Sequence, residues 1–244
     1  MIGIILAGGF AKRMGELTQN KAKALLEINE KPIVQYVIEK MEKIDSIEKI
    51  YISTNKKFEE DFTKFLSNLQ STKSVNLVIE PAAKEEEKLG SIGGLNYVIK
   101  KNNIEDDIIV VAGDNMFEFG LKEIIDYYDE KKAPIVGLLD IIDKEKASKR
   151  LGVVEIDSDN KITGFEEKPE FPKTSLVSTA IYIFSKDSLK LISEYIESSN
   201  NPDAMGFFLT WLYEKEDIYG FIFKGTWIDI GTIKTFEEAK KSFV

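Results

Sequence analysis

Ile2-Gly3-Ile4-Ile5-Leu6-Ala7-Gly8-Gly9 is the stretch that decides the fold. Its apolar part, Ile2–Leu6, is short and rich in Ile, which is typical of a strand buried on both faces. Gly8 and Gly9 end the apolar run, and glycine lets a backbone turn tightly and approach a ligand closely. Because open α/β sheets bind ligands at the carboxyl ends of their strands, the stretch predicts a first strand followed by a binding loop.

Outward from that strand, strand-like runs alternate with helical segments through the first half of the chain. The strand-like runs are Lys49–Ser53, Val75–Ile79 and Ile108–Ala112. Apolar residues at helical spacing mark Ile33–Ile44, Phe58–Leu69 and Leu95–Lys101. This alternation predicts an α/β fold with a mostly parallel mixed sheet flanked by helices on both faces.

Strands dominate the second half of the chain. We predict them at Ile135–Asp140, Gly152–Ile156, Ile162–Glu167, Leu176–Phe184 and Tyr219–Phe223, with a hairpin turn across residues 156–162. Helices are predicted at Leu189–Glu197, Phe207–Lys215 and Ile233–Phe243. Because no linker rich in Pro, Gly or Ser divides the chain, we expect a single Rossmann-like domain over residues 1–244. Its first half, about 1–130, is of the nucleotide-binding type, and its second half, about 131–244, is more β-rich.

Cysteine and histidine are both absent from the 244 residues. Their absence excludes disulfides, thiolate or imidazole metal sites, cysteine nucleophiles and imidazole acid–base chemistry. The remaining chemistry uses carboxylates, Lys, Arg, hydroxyls, backbone amides and a hard cation that prefers oxygen ligands. A net charge of −9 argues against nucleic-acid and anionic-membrane partners. No apolar run has the roughly 20 residues that a membrane span needs, and no basic segment precedes the first strand, so we expect a cytoplasmic protein.

Several cations follow the two glycines. Lys12 and Arg13 come at once, and Lys21 and Lys23 a short way further along. Free amides and cations at a strand end suit a polyphosphate, although a solvated basic surface is an equally good explanation of the local chemistry. The segment matches neither G-x-G-x-x-G nor G-x-x-x-x-G-K-[ST], so it is neither an ordinary dinucleotide fingerprint nor a P-loop.

Three short motifs, in their order along the chain, resemble the opening signature of the sugar-1-phosphate nucleotidyltransferases. The motifs are Leu6-Ala7-Gly8-Gly9-x-x-x-Arg13-Met14, Lys23-Ala24-Leu25-Leu26 and Lys31-Pro32. The resemblance implies a nucleotidyltransferase fold of the GT-A-like type and nucleotide contacts at Leu6, Ala7, Gly8, Gly9, Arg13 and Lys23. Arg13 and Lys23 would bind phosphate and act in catalysis. The sequence departs from the family at Ala11 and Glu16, where Gly and Pro are usual.

Glu80-Pro81 and the later Leu89-Gly90-Ser91-Ile92-Gly93-Gly94-Leu95 form the middle motifs. The second resembles a family segment that opens a helix beneath the nucleoside, which implies nucleotide contacts at Glu80, Gly90 and Ser91. From the residues themselves, Gly90 lets a base or ribose approach the backbone and Ser91 is a candidate helix N-cap. A plain helix start is the alternative. If Glu80 accepts from the base, guanine and cytosine are favoured because they present N–H donors.

Two aspartates, one in each half of the chain, are candidate metal ligands. Asp114 ends the apolar strand Ile108–Ala112 after Gly113, where open α/β sheets bind ligands, although it could merely cap the next turn. Asp229 lies in Gly225-Thr226-Trp227-Ile228-Asp229-Ile230-Gly231-Thr232, which resembles the family's Trp-x-Asp-x-Gly-Thr motif. The resemblance implies that both aspartates bind Mg²⁺ and that Asp114 is catalytic. Two carboxylates suit a cation that accepts few protein ligands.

Gly164-Phe165-Glu166-Glu167-Lys168-Pro169 resembles the family's acceptor motif. The resemblance implies that Glu167 contacts sugar hydroxyls and that Lys168 pairs with the phosphate of the sugar phosphate. Thr179 on the following strand is a further candidate sugar contact, with a purely structural role as the alternative. Ala180, beside it, replaces a usual Gly.

Together the motifs predict a Mg²⁺-dependent enzyme of nucleotide-sugar biosynthesis that joins an NTP to a sugar 1-phosphate. One alternative is a cytidylyltransferase acting on an alcohol or choline phosphate, which Ala11 and Met14 favour slightly. Another is an inactive, nucleotide-sensing regulatory homologue. Because the sequence stops soon after Thr232, we expect no C-terminal β-helix domain, and a homo-oligomer is left open.

Overall fold

The fold is that of a computed structural model, which describes residues 1–10, 12–19 and 21–243, with the backbone alone for Lys12 and Arg13. Its strands are β1 (Ile2–Leu6), β2 (Glu27–Ile28), β3 (Lys31–Pro32), β4 (Lys49–Asn55), β5 (Ser74–Glu80), β6 (Ile108–Ala112), β7 (Asn115–Phe117), β8 (Ile135–Asp140), β9 (Gly152–Ile156), β10 (Ile162–Glu167), β11 (Leu176–Phe184), β12 (Tyr219–Phe223) and β13 (Trp227–Asp229). Its α-helices are α1 (Ile33–Glu42), α2 (Glu59–Asn68), α3 (Gly90–Lys101), α4 (Lys122–Lys131), α5 (Leu189–Glu197), α6 (Met205–Leu212) and α7 (Ile233–Ser242).

A nine-stranded mixed sheet contains strands from both halves of the chain. The strand order is β10-β9-β11-β6-β1-β4-β5, and β8 pairs with both β11 and β12. The strands β6, β1, β4 and β5 are parallel, whereas β11 runs antiparallel to β6. The α/β fold with a mostly parallel central sheet and flanking helices is therefore confirmed.

The first strand lies at the centre of this sheet because both of its faces are apolar. Successive side chains of a strand point to opposite faces. Ile5 packs in a cluster with apolar residues of α1, and Ile4 packs in a second cluster with those of α3. Both isoleucines are fully buried, and burying such a side chain contributes roughly 1.5–3 kcal/mol. Residues 2–6 are thereby fixed between two helical layers.

The predicted strands agree closely with the structure, whereas some helices differ. Helix α3 begins at Gly90 rather than at Leu95, and α6 spans Met205–Leu212 rather than Phe207–Lys215. Apolar spacing alone missed the early turn of α3 because this turn contains three glycines, each of which costs roughly 0.5–1 kcal/mol in a helix relative to alanine. The motif at residues 89–95 had indicated a helix start there. Helix α4 was not predicted, although Ile124, Ile125 and Tyr128 give it a buried face.

A small antiparallel ribbon, also unpredicted, brings distant parts of the chain together. It consists of β7 and β13, and its register pairs Trp227 with Phe117, Ile228 with Met116 and Asp229 with Asn115. Because β7 follows β6 almost directly, the ribbon places residues 227–229 beside the carboxyl edge of the parallel strands.

Within the described ranges, no helix is long and apolar enough to cross a membrane.

Candidate active site

A cavity of about 620 Å³ opens at the carboxyl end of the parallel strands. Most residues selected from the sequence line it: Leu6, Gly8, Gly9, Lys23, Glu80, Gly90, Ser91, Asp114, Glu167, Lys168 and Asp229. Ala7 and Thr179 are not among its lining residues, and the side chain of Arg13 lies outside the described part of the chain. The cavity thus combines residues from both halves of the sequence.

Buried polar side chains at the end of β4 hold the glycine loop in place. The amide of Ala7 donates to the Ser53 carbonyl at 2.8 Å, and the Thr54 hydroxyl donates to the Ala7 carbonyl at 3.3 Å. Asn55 Nδ2 donates to the Gly8 carbonyl at 3.0 Å. Because Ser53, Thr54 and Asn55 are all fully buried, the loop backbone has a rigid support.

Glu80 is buried beneath this loop, with only 5% of its surface exposed. A Cβ added to Gly8 or to Gly94 would stand 2.8 Å from Glu80 Oε1, so the carboxylate needs glycine on both sides. Ser53 Oγ donates to Oε1 at 2.7 Å. Burial raises the pKa of Glu80, and the Ser53 hydrogen bond lowers it by less. The carboxyl group lies at the cavity wall, which leaves its role in base recognition a prediction.

Backbone carbonyls from a distant segment accept the first amide hydrogen bonds of α3. The expectation that Ser91 is the N-cap of this helix is wrong. Leu89 occupies the cap position and makes no side-chain cap. The amides of Ser91 and Ile92 donate to the carbonyls of Asp203 and Pro202, each at 3.1 Å. Gly90 has a φ of +76°, and a Cβ there would lie 2.3 Å from the Pro202 carbonyl oxygen. Gly90 is therefore needed for the close approach of this backbone, and its contact with a nucleotide stays a prediction.

The ribbon brings the backbones of the two predicted metal ligands close together. Asp229 pairs in register with Asn115, the neighbour of Asp114, and the Ile230 amide donates to the Asp114 carbonyl at 3.2 Å. Asp114 is an ion-pair partner of Lys23 through Oδ2 and accepts from Asn115 Nδ2 through Oδ1 at 2.9 Å. Two carboxylates, with a lysine ammonium at one of them, form a donor set that fits a hard divalent cation.

The cations of the loop separate in the structure. Lys23 lines the cavity, whereas Lys21 pairs with Glu27 at 3.0 Å and lines a different cavity. Of the two, Lys23 is the residue placed to contact a ligand beside Asp114. Lys21 thus has the position of a solvated surface residue, whereas the phosphate contact of Lys23 stays a prediction.

The acceptor motif lies in the same cavity, at the end of β10. Glu167 Oε1 and Lys168 Nζ form an ion pair at 3.1 Å, and the Glu167 side chain is only 13% exposed. A Cβ added to Gly206 would lie 2.1 Å from Glu167 Oε2, so the carboxylate packs directly on the start of α6. The Lys168 amide donates to the Leu151 carbonyl at 3.2 Å, which ties the motif to the segment before β9.

The fold and this site can now be set beside known proteins. Residues 2–243 match the family model described as nucleotidyl transferase. The chain belongs to the nucleotidyl transferase family. The resemblance to sugar-1-phosphate nucleotidyltransferases, inferred from the motifs, is confirmed.

Individual relatives agree with this family assignment. The protein named bifunctional protein GlmU of Methanocaldococcus jannaschii is 32% identical over 244 residues, covering 99% of this chain and 54% of that protein. Glucose-1-phosphate adenylyltransferase of Clostridium acetobutylicum is 28% identical, covering 98% of this chain and 66% of that protein. The chain thus spans less than two thirds of the length of both curated relatives. A Bacillus anthracis structure, provisionally named a glucose-1-phosphate thymidylyltransferase, is 26% identical with a TM-score of 0.84, covering 99% of this chain and 94% of that chain.

The strand β11 presents different residues to the cavity than we expected. Thr179 is fully buried and its hydroxyl donates to the Gly137 carbonyl at 2.9 Å, so its structural alternative is the one observed. Ser178, Ala180 and Tyr182 line the cavity instead. Ala180 has a φ of +56°, and the pairing of β11 with β8 is irregular between Ser178 and Tyr182.

Two hydroxyls on this strand were missed by sequence reasoning. Ser178 Oγ and Tyr182 Oη are 3.1 Å apart and hydrogen-bonded. Burial raises the pKa of the Tyr182 hydroxyl, which therefore stays protonated and able to donate. Because β11 is irregular between Ser178 and Tyr182, the regular alternation of a strand could not have identified this pair from the sequence.

Proposed function

We propose that this protein transfers a nucleotidyl group from an NTP to a sugar 1-phosphate, giving an NDP-sugar and pyrophosphate. One observation carries the proposal. The phosphate-loop residues Gly8, Gly9 and Lys23 line the same cavity as the acceptor motif of Glu167 and Lys168. Both metal-ligand candidates line it as well. A two-substrate transfer needs such a shared cavity, because its two reacting groups must be held in contact.

The chemistry needs only residues that the chain possesses. An oxygen of the acceptor phosphate forms a bond to the α-phosphorus, and the bond from that phosphorus to the bridging oxygen of the β-phosphate breaks. Pyrophosphate leaves with the electron pair. Because the attacking phosphate is already ionised at neutral pH, no general base is required. Positioning and charge stabilisation therefore supply the catalysis, which suits a sequence without histidine.

Asp114 and Asp229 are the proposed ligands of Mg²⁺. When bound, the ion supplies positive charge that offsets the charge developing on the phosphate oxygens. Asp114 directly precedes β7 and Asp229 ends β13, so the ribbon brings the backbones of the two aspartates together. Lys23 is already an ion-pair partner of Asp114, and we propose that its ammonium contacts the nucleotide phosphates in the substrate complex. Arg13 is proposed to contact them too, on the strength of its motif.

The acceptor would lie against the cavity wall that the second half of the chain forms. Lys168 is proposed to hold the sugar phosphate, since an ammonium is a compact charge for phosphate oxygens. Glu167 is proposed to accept from sugar hydroxyls. The names of the relatives favour a sugar phosphate over the alcohol or choline phosphate considered above. Nucleoside triphosphates as donors favour a cytoplasmic location.

Release of pyrophosphate tests the proposal. The protein is assayed with Mg²⁺ against each common NTP combined with a panel of sugar 1-phosphates and with choline phosphate. We expect turnover with an NTP and a sugar phosphate, and its loss in Asp229→Ala. Asp126→Asn is the control, because Asp126 is exposed and pairs only with Lys122 among the described residues. Undiminished activity of Asp229→Ala would overturn the metal assignment, and turnover with choline phosphate alone would overturn the acceptor class.

The same panel tests the base. A carboxylate at position 80 that accepts from the base predicts a preference for GTP or CTP. A clear preference for UTP or dTTP would contradict that role of Glu80.

A further inference from the structure

The ribbon of β7 and β13 is short, and its two strands come from opposite halves of the chain. Each strand has three residues, and a two-stranded ribbon is marginally stable at best by itself. One of its faces is buried, because Met116 and Ile228 pack in an apolar cluster with Ile33 of α1. Apolar packing is not directional, so hydrogen bonds define the position of the ribbon more sharply.

Lys40, in the last turn of α1, makes such hydrogen bonds. Its Nζ donates to the carbonyls of Glu118 and Phe119, at 3.0 and 2.9 Å, directly after β7. Nζ also lies 5.0 Å from the ring centroid of Phe117, the last residue of that strand. Burial lowers the pKa of Lys40. The ammonium has therefore lost part of its water shell, and the two carbonyl oxygens take the place of that water.

Glu118 joins this contact to the other strand of the ribbon. Its amide donates to the Thr226 carbonyl at 3.0 Å, and its Oε2 accepts from the Thr226 amide at 3.0 Å. Thr226 directly precedes β13, the strand that ends at Asp229. A continuous series of hydrogen bonds and chain neighbours therefore runs from Lys40 to the strand that carries Asp229.

Helix α1 also supports the strand that leads into the phosphate loop. Val37 and Ile38 of this helix are buried in one apolar cluster with Ile5 of β1, and Gly8 follows that strand closely. Lys40 thus ties the ribbon to the helix on which the strand before the glycine loop packs. The relative position of loop and metal ligands matters, because a misplacement of about 1 Å can cost roughly 10²-fold in rate.

We propose that Lys40 is a positioning residue for the divalent-cation site, because it holds the ribbon that brings Asp229 beside Asp114. The inference rests on the proposed function, since it takes the metal site from there. Lys40 is not among the residues that line the cavity, and it acts through Glu118 and Thr226. No motif considered above includes it.

Mn²⁺ binding by the full chain without substrates provides the test. The concentration of unbound Mn²⁺ is followed by electron paramagnetic resonance, which needs no turnover. Lys40→Met keeps a long side chain but removes the donors, and we expect about 2–30-fold weaker binding, the range for residues that act on a site through intervening contacts. Loss of a positive charge would by itself strengthen the binding of a cation, so weaker binding indicates a displaced ribbon. Lys40→Arg keeps donors and charge and should bind Mn²⁺ nearly as tightly as the wild type.

Lys73 offers a matched control for stability. It is also a partly buried lysine whose Nζ donates to two carbonyls, those of Ile44 and Ile47 at 2.7 and 2.5 Å, but these lie between α1 and β4. We expect Lys73→Met to lose a similar free energy of unfolding in urea and to keep the affinity for Mn²⁺. Lys43→Met removes an exposed charge at the end of α1 and should not weaken binding. Asp229→Asn is the positive control and should weaken binding strongly.

The outcomes separate this inference from the proposed function. Normal or tighter binding in Lys40→Met, with weak binding in Asp229→Asn, would overturn the role of Lys40 and keep the metal site. Equal weakening in Lys40→Met and Lys73→Met would overturn it in favour of a general loss of stability. Normal binding in every variant, or none by the wild type, would overturn the inference, while pyrophosphate release would still decide the function.

Glu118 provides a second test if Lys40→Met does not fold, as judged by circular dichroism. Glu118 is exposed, and its two variants remove the same charge. Glu118→Gln keeps an oxygen for the Thr226 amide, whereas Glu118→Ala removes it. We expect weaker Mn²⁺ binding in Glu118→Ala than in Glu118→Gln. Equal affinities of the two variants would overturn the proposed connection from Lys40 to β13.

Discussion

Gly8 lies directly against the carboxylate of Glu80, so closely that a Cβ on Gly8 would stand 2.8 Å from Glu80 Oε1. Glycine at position 8 thus leaves room for a buried carboxyl group from β5. Gly94 has the same relationship to Glu80 from the side of α3. One carboxyl group therefore packs between the loop and the helix.

Gly8→Ala should harm both stability and activity. The added methyl must displace the buried carboxylate or the loop, and such overpacking typically costs about 1–3 kcal/mol in the free energy of unfolding. Displacement of the loop should lower kcat/KM about 10–100-fold. Urea unfolding and pyrophosphate release measure the two effects. Gly120→Ala is the control, because a Cβ there meets no atom within 4 Å. A Gly8→Ala protein with wild-type stability would show that the loop accommodates the added methyl group without cost.

Glu80→Gln should change how stability depends on pH. The pKa of Glu80 is raised by burial above its ordinary value of 4.5, so the folded state binds its proton more tightly than the unfolded state. Stability from this group is therefore lost as pH rises from about 4.5 through the folded pKa. Glutamine carries no such proton, so the stability of Glu80→Gln relative to the wild type should increase with pH over that window.

Urea unfolding of both proteins between pH 4.5 and 8 measures that difference. Glu216 also has a pKa raised by burial, but it is present in both proteins and cancels in the comparison. A stability difference that stays constant with pH would contradict the raised pKa of Glu80.

Lys23→Met should reduce activity, whereas Lys21→Met should not. Lys23 lines the cavity beside Asp114, and loss of one positioned charge at a reacting phosphate typically costs about 10²–10³-fold in kcat. Lys21 pairs with Glu27 near the surface, where such a pair contributes about 0–1 kcal/mol to stability. Steady-state pyrophosphate release compares them. Equal losses of kcat in both variants would contradict a specific role of Lys23 and would mean that only the total positive charge of the segment matters.

Ser178→Ala should weaken binding of the sugar phosphate, whereas Thr179→Val should lower the stability of the protein. Ser178 lines the cavity, and loss of its hydroxyl should raise KM for the sugar phosphate about 2–10-fold with KM for the NTP unchanged. Thr179 is fully buried and bonded to Gly137, so Thr179→Val should lower the free energy of unfolding by about 1 kcal/mol. A larger rise in KM from the threonine variant would restore Thr179 as the sugar contact.

Local patterns account for the parts of the fold that were predicted well. The strands Ile2–Leu6, Ile108–Ala112 and Leu176–Phe184 have the predicted bounds. The signal is clearest for Ile108–Ala112, which is a continuous apolar run between Asp107 and Gly113. The hairpin after Gly152–Ile156 was predicted from its polar turn residues, and the Asp157 amide indeed donates to the Lys161 carbonyl at 2.9 Å. Both signals depend on neighbours in the sequence.

The failures involve partners that are distant in the sequence. Ser91 has the residue type of a helix cap, but the carbonyls of Pro202 and Asp203 already satisfy the first amides of α3. Thr179 and Ser178 are adjacent on one strand, and the twist around Ala180 decides which of them faces the cavity. Lys40 meets the carbonyls of Glu118 and Phe119 only in the folded chain.

The sequence by itself therefore determined the order of the strands along the chain, the chemistry available without histidine or cysteine, and the motifs that identify the family. Tertiary structure alone decided which side chains share the cavity, because strand register and backbone caps arise from contacts between segments far apart in the chain. Hydrophobic periodicity is a local property, whereas the partner of a buried polar group is chosen by the packing of the whole fold.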